Sequence, residues 1–138
     1  MNPEIQVSRI HEMPAELSIE IPRTAQAPSL ARHALGELDG AIDPSVLPDV
    51  RLLVSELITN SVKYGGDGPV RLEVTAGEGR VRAEIVDQGA GFKPVQRGDD
   101  LEKVGGWGLH LVEQLTTEWG TYEGSTHVWF EIDLTARR

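Results

Sequence analysis

The sequence predicts a single α+β domain, with helices on one face of a mixed, mainly antiparallel sheet. Three observations predict it. Val70 to Thr75 and Val81 to Val86 both alternate apolar and polar residues around Gly77-Glu78-Gly79, which reads as a hairpin with one buried face. Arg51 to Gly65, RLLVSELITNSVKYG, carries Leu52, Leu53, Leu57, Ile58 and Val62 at helical spacing. The elements run strand, helix, helix, strand, strand, loop, helix, strand, strand. A doubly wound parallel sheet would need stricter alternation.

Taken in order, residues 1–14 have little pattern and end at Pro14, so they form a tail or an edge strand. Ala15 to Ile21 alternates through Leu17, Ile19 and Ile21, and Pro22 stops the strand. Ser29 caps a first helix with Leu30, His33, Ala34 and Leu38 as its apolar stripe, and Gly40 closes it. Asp43-Pro44 opens the next helix, which turns at Pro48, runs to Tyr64 and ends at Gly65-Gly66. The hairpin follows, then a polar loop over Lys93 to Val104. Gly105 to Gly108 opens a helix over Leu109 to Thr116, and two strands, Trp119 to Tyr122 and Thr126 to Leu134, complete residues 15–138 as one domain.

The bulk numbers bound the function. A chain of 138 residues, 39% hydrophobic and 25% charged, has the composition of a soluble globular domain with a modest apolar share. It has no cysteine, which excludes disulfides, zinc-thiolate sites and thiol nucleophiles. Its net charge of -9 repels nucleic acid and anionic membrane in general. No apolar run approaches a membrane span, and MNPEIQVSRI lacks a signal-peptide core. These features place the chain in the cytoplasm, without direct nucleic-acid or membrane contact.

Chemistry concentrates in three stretches. Glu56 and Asn60 are four residues apart and share a helix face, with Lys63 close to it. Polar groups set among buried positions are costly unless something polar binds there. Asp87 ends a strand and is followed by Gly89 and Gly91, which let backbone approach a ligand. Gly106-Trp107-Gly108 leads into a helix whose backbone amides suit a phosphate.

In this order the three stretches resemble the ATP-site boxes of the superfamily of DNA gyrase, histidine kinases and heat-shock ATPase chaperones. The first box reads Glu56-Leu-Ile-Thr-Asn60, the second Asp87-Gln-Gly89-Ala-Gly91, and the third Gly106-Trp-Gly108-Leu109-His-Leu111. Within that superfamily the chain looks most like the small bacterial anti-sigma factor serine/threonine kinases, from about Leu17 to Leu134. The resemblance implies a two-layer α/β sandwich, with nucleotide between the helices and a lid.

It also implies roles. Asn60 would ligate Mg²⁺, a hard cation that keeps several waters and bridges phosphates. Glu56 would act as general base or orient the acceptor hydroxyl. Asp87 would accept a hydrogen bond from the exocyclic amine of adenine, where guanine presents a carbonyl. Gly89 and Gly91 would let backbone pass the base. Gly106, Gly108 and Leu109 of the third box would meet the phosphates, and Thr126 would support the adenine-side hydrogen bonds. Two readings of Lys63 stay open, phosphate neutralisation and a solvated lysine.

Two departures stand out. His110 replaces the last glycine of the third box, as in many small anti-sigma members. The arginine that reaches the terminal phosphate in well-studied anti-sigma kinases is replaced by Val104 and Gly105, with Lys103 one step earlier and Arg97 in the lid. The implied function is an anti-sigma regulator that binds ATP-Mg²⁺, sequesters a sigma factor and phosphorylates an anti-anti-sigma partner, as a homodimer. Its alternative is an ATP-binding switch without kinase activity. A histidine-kinase catalytic domain fits less well, because no long helical hairpin surrounds His11-Glu12-Met13-Pro14. Arg23 and Arg32 read as surface arginines and candidate partner contacts.

Overall fold

The computed structural model describes residues 15–87, 106–122 and 124–136. The N-terminal tail, Gly89, Gly91 and the loop over Lys93 to Val104 lie outside them. The described elements are β1 (Ala15–Ile21), α1 (Ala27–Ala34), a 3-10 turn (Leu35–Leu38), α2 (Leu47–Tyr64), β2 (Val70–Gly77), β3 (Arg80–Asp87), α3 (Gly106–Leu115), β4 (Glu118–Tyr122), β5 (Gly124–Asp133) and a closing 3-10 turn (Leu134–Ala136).

The five strands form one sheet in the order β1-β2-β3-β5-β4. Every pairing among these described strands is antiparallel, in keeping with the mainly antiparallel sheet expected. The register follows from alternation. Leu17 faces Val74, Val74 faces Ala83, and Ala83 faces Phe130, so one buried row crosses four strands. A one-residue slip would send that row into solvent. The helices pack on this face, where the core runs from Ile21 through Leu53, Leu57 and Ile58 to Ile85 and Phe130.

The opposite face is polar and internally paired. Arg71 lies 3.6 Å from Glu20 and 3.5 Å from Glu73. His127 Nε2 lies 2.9 Å from Glu84. The Arg82 guanidinium stacks 4.3 Å from the centre of the Trp129 ring. Exposed pairs of this kind contribute little each; they keep the sheet face wetted.

The hairpin turn is Glu78-Gly79, with φ of 55° and 78°. Two consecutive positive φ values are what a two-residue turn needs to match the strand twist. The strands therefore extend to Gly77 and Arg80, beyond the alternating runs.

Two helices differ from their sequence reading. In α1 the core face is Ala27, Ala31 and Ala34, continued by Leu35 and Leu38, whereas His33 is exposed and Leu30 is 44% exposed. Small residues let α1 lie close to α2, so the interface is built on alanines rather than on the larger apolar side chains. In α2, Leu52 is 42% exposed, and Val50, Leu53, Val54, Leu57, Ile58 and Ser61 face the core. Asp43 does not begin α2 itself. It accepts bonds from the Ser45 amide (2.8 Å) and hydroxyl (2.7 Å), forming the turn that leads into the helix at Leu47.

Candidate functional site

The site gathers where the C-terminal half of α2 meets the end of β3. Helix α2 carries Glu56 and Asn60 one turn apart. Asn60 is 7% exposed, and Glu56 is half-buried. Lys63, in the last turn, is exposed. Asn60 is therefore a neutral hard-oxygen donor held in the protein, whereas Lys63 reaches into solvent.

Asp87, the last residue of β3, turns its carboxylate back toward this helix. Its side chain is only 4% exposed. A carboxylate this buried needs a cationic or donor-rich neighbour. Arg23 supplies one: its Nη2 donates to Asp87 Oδ1 at 2.9 Å. The Gly66 amide approaches the same oxygen at 3.4 Å.

Arg23 is therefore not the surface residue that its sequence position suggested. It lies between β1 and α1, in a turn closed by the Thr24 amide on the Pro22 carbonyl at 2.9 Å. Its Nε donates to the Gly68 carbonyl at 2.9 Å, and its Nη1 donates to the Ser61 carbonyl. The Ser61 carbonyl also accepts the Gly65 amide, at 2.9 Å, at the negative end of the α2 dipole. Local spacing gave no sign of this, because Arg23 and Asp87 are 64 residues apart. Arg32 is exposed as a residue but donates to Ser55 Oγ at 2.9 Å, linking α1 to α2 beside Glu56.

Gly65 makes the approach of these groups possible. A methyl group there would stand 1.9 Å from Asp87 Oδ2, 2.6 Å from the Ser61 carbonyl oxygen and 2.7 Å from Arg23 Nη1. Its φ of -81° suits any residue, so the requirement is space rather than conformation.

The structure thus brings Asp87 against the end of the helix that bears Glu56 and Asn60. Gly106, Gly108 and Leu109 lie in the first turn of α3, and Thr126 lies on β5, the strand beside β3. Helix α3 packs against α2. Gly89 and Gly91 lie outside the described residues. No group of three or more His, Cys, Asp and Glu suited to a metal occurs among the described residues. A single amide such as Asn60 fits a cation that keeps its waters and takes further ligands from a phosphate, as Mg²⁺ does.

Comparison with known proteins matches residues 21–132 to the histidine kinase-like ATPase domain. An anti-sigma F factor of Clostridium botulinum (strain Eklund 17B / Type B) is 31% identical over 88 residues, which cover 59% of this chain and 62% of that protein. The serine-protein kinase RsbW of Listeria monocytogenes serotype 4a is 29% identical over 117 residues, covering 72% of this chain and 74% of the relative. A crystal structure of the RsbU and RsbW domains of a Mycobacterium tuberculosis protein superposes with a TM-score of 0.60 at 24% identity, over 86% of this chain and 31% of that one. That likeness concerns the fold. With the domain match running from the end of β1 into β5 and taking in α1, α2, α3 and Asp87, the chain belongs to the histidine kinase-like ATPase family.

Proposed function

We propose that this protein is an anti-sigma regulatory factor that binds ATP with magnesium, sequesters a sigma factor and phosphorylates a serine or threonine on an anti-anti-sigma partner. The observation that carries the reading is the buried Asp87 carboxylate, held against the end of the helix that bears Glu56 and Asn60. The names of the Clostridium and Listeria relatives support the same direction.

Each residue has a task. Asp87 accepts the exocyclic amine of adenine. Asn60 holds the magnesium ion through its amide oxygen. Glu56, one turn away, takes or orients the proton of the acceptor hydroxyl. The start of α3, with Gly106, Gly108 and Leu109, offers backbone amides to the phosphates. Thr126 supports the adenine side from β5, and Lys63 stands at the solvent edge, where a phosphate charge would meet it. ATP supplies the terminal phosphoryl group, and magnesium offsets its charge. A phosphorylated partner gains about -1.5 to -2 charges and is repelled by a chain whose own net charge is -9. The same charge favours a basic sigma factor.

A second reading, a nucleotide switch without transfer, is favoured by one observation. Val104 and Gly105 stand where the well-studied kinases of the family carry a phosphate-reaching arginine. The test of both is calorimetric titration with ATP and GTP, with and without magnesium, followed by incubation with a candidate anti-anti-sigma protein. Magnesium-dependent, ATP-selective binding is expected, with phosphate transferred. Binding without transfer would leave the switch; no binding would remove both readings.

A further inference from the structure

The Arg23–Asp87 pair is an unusual investment for a fold to make. Arg23 is 14% exposed and Asp87 is 4% exposed. A buried ion pair is seldom more stabilising than apolar residues of the same volume, because both charges lose their water. Yet the geometry around Arg23 is complete on three sides. Its Nε, Nη1 and Nη2 donate to three separate parts of the chain: the turn after α2 at Gly68, the end of α2 at Ser61, and the end of β3 at Asp87. A planar guanidinium fixed by two carbonyls has no freedom to follow the carboxylate; the carboxylate takes its position from the guanidinium. Gly65 closes the other side, against Oδ2.

The consequence is chemical. An ionised carboxylate only accepts hydrogen bonds, whereas a neutral carboxylic acid also donates one. A purine with an amine at C6 offers a donor, and one with a carbonyl at C6 offers an acceptor. A buried carboxyl without its cation tends toward the neutral acid, and then a carbonyl-bearing purine finds a donor where it would otherwise be refused.

We propose that Arg23 is a positioning residue that sets base selectivity. By fixing the Asp87 carboxylate as an anion in one orientation, it makes the site accept an amine-bearing purine nucleotide and refuse a carbonyl-bearing one. The inference rests on the nucleotide reading above and extends it to a residue outside the three ATP-site boxes.

The test is titration of the full chain with ATP and with inosine triphosphate, which carries a carbonyl at C6, both in magnesium. Arg23→Gln keeps one amide donor but is two atoms shorter and loses the charge and the fork. It is expected to narrow the ratio of the two dissociation constants about tenfold, the scale of one lost charge-assisted bond. Arg23→Lys keeps the charge without the fork and should narrow it about threefold. Thermal melts show whether each variant folds, and Arg23→Lys carries the test if Arg23→Gln does not. A lower melting temperature with the ratio unchanged, or equal weakening of both nucleotides, would make Arg23 a structural tie and overturn the proposal. Wild-type protein that binds neither nucleotide overturns the nucleotide reading itself. Selective wild-type binding with an unaltered ratio in the variants overturns only the role of Arg23.

Discussion

Gly65 and Asp87 sit so close that a single methyl group on Gly65 would stand 1.9 Å from Asp87 Oδ2. One end of the approach is a side chain that could swing away, but the Ser61 carbonyl, 2.6 Å from the same point, belongs to the helix backbone and cannot. Gly65→Ala therefore has to shift both the helix end and the Asp87 carboxylate. Overpacking at such a point costs about 1–3 kcal/mol. Urea unfolding should show that loss, and titration of the folded variant should show weaker ATP binding. A variant as stable as the wild type, with unchanged affinity, would mean that the two elements sit further apart in solution.

Asn60 is the second point of test. It is 7% exposed on α2, with the apolar Leu57 and Ile58 and the polar Ser61 buried near it. Asn60→Ala is expected to reduce ATP affinity in magnesium to the level seen in a chelator, while the protein still folds. The decisive comparison is the magnesium-to-chelator ratio of dissociation constants, which should fall to about 1. If magnesium strengthens ATP binding in the variant by the wild-type factor, Asn60 is not its ligand.

Glu56 separates binding from transfer. It is half-buried, one helical turn before Asn60. Glu56→Gln keeps shape and hydrogen bonding but cannot take a proton. ATP affinity should remain within about twofold, while phosphoryl transfer to the partner falls by about 10²–10⁴, the usual worth of a positioned base. Transfer at the wild-type rate in single-turnover assays would remove Glu56 from the chemistry.

How legible all this was in the sequence depends on what each element is made of. The strands and the extent of α2 could be read because much of their burial is carried by Val, Leu and Ile at regular spacing, as at Leu53, Leu57, Leu72 and Val74, although Leu52 of the expected α2 stripe is exposed. The face of helix α1 was read only in part: Ala34 and Leu38 are buried as expected, but Ala27 and Ala31 were passed over because hydropathy ranks alanine below the exposed Leu30. The polar pair Glu56 and Asn60 was visible from spacing alone, and Asp87 from its place before two glycines. Arg23 was not visible, since its role depends on β1 and β3 ending at the same side of the sheet. Strand order and register supply that fact; local pattern does not. Gly65 was read as a helix stop, and its tight contact with Asp87 needed the fold as well.

Asp43 offers a test of the turn that launches α2. Its carboxylate accepts the Ser45 amide and hydroxyl, and these bonds lower its pKa from the usual 3.8. Bonds that favour the ionised form in the folded state stabilise it only while the group is ionised. The contribution is fully present above the unfolded value of 3.8 and is lost as pH falls through the lower folded value. Asp43→Ala should therefore melt at a lower temperature than the wild type at neutral pH. The gap should narrow as pH falls below 3.8 and close once pH has passed the lower folded value. Melting curves at several pH values check this, and a gap that persists undiminished in acid would show that the turn is held by something other than the Asp43 charge.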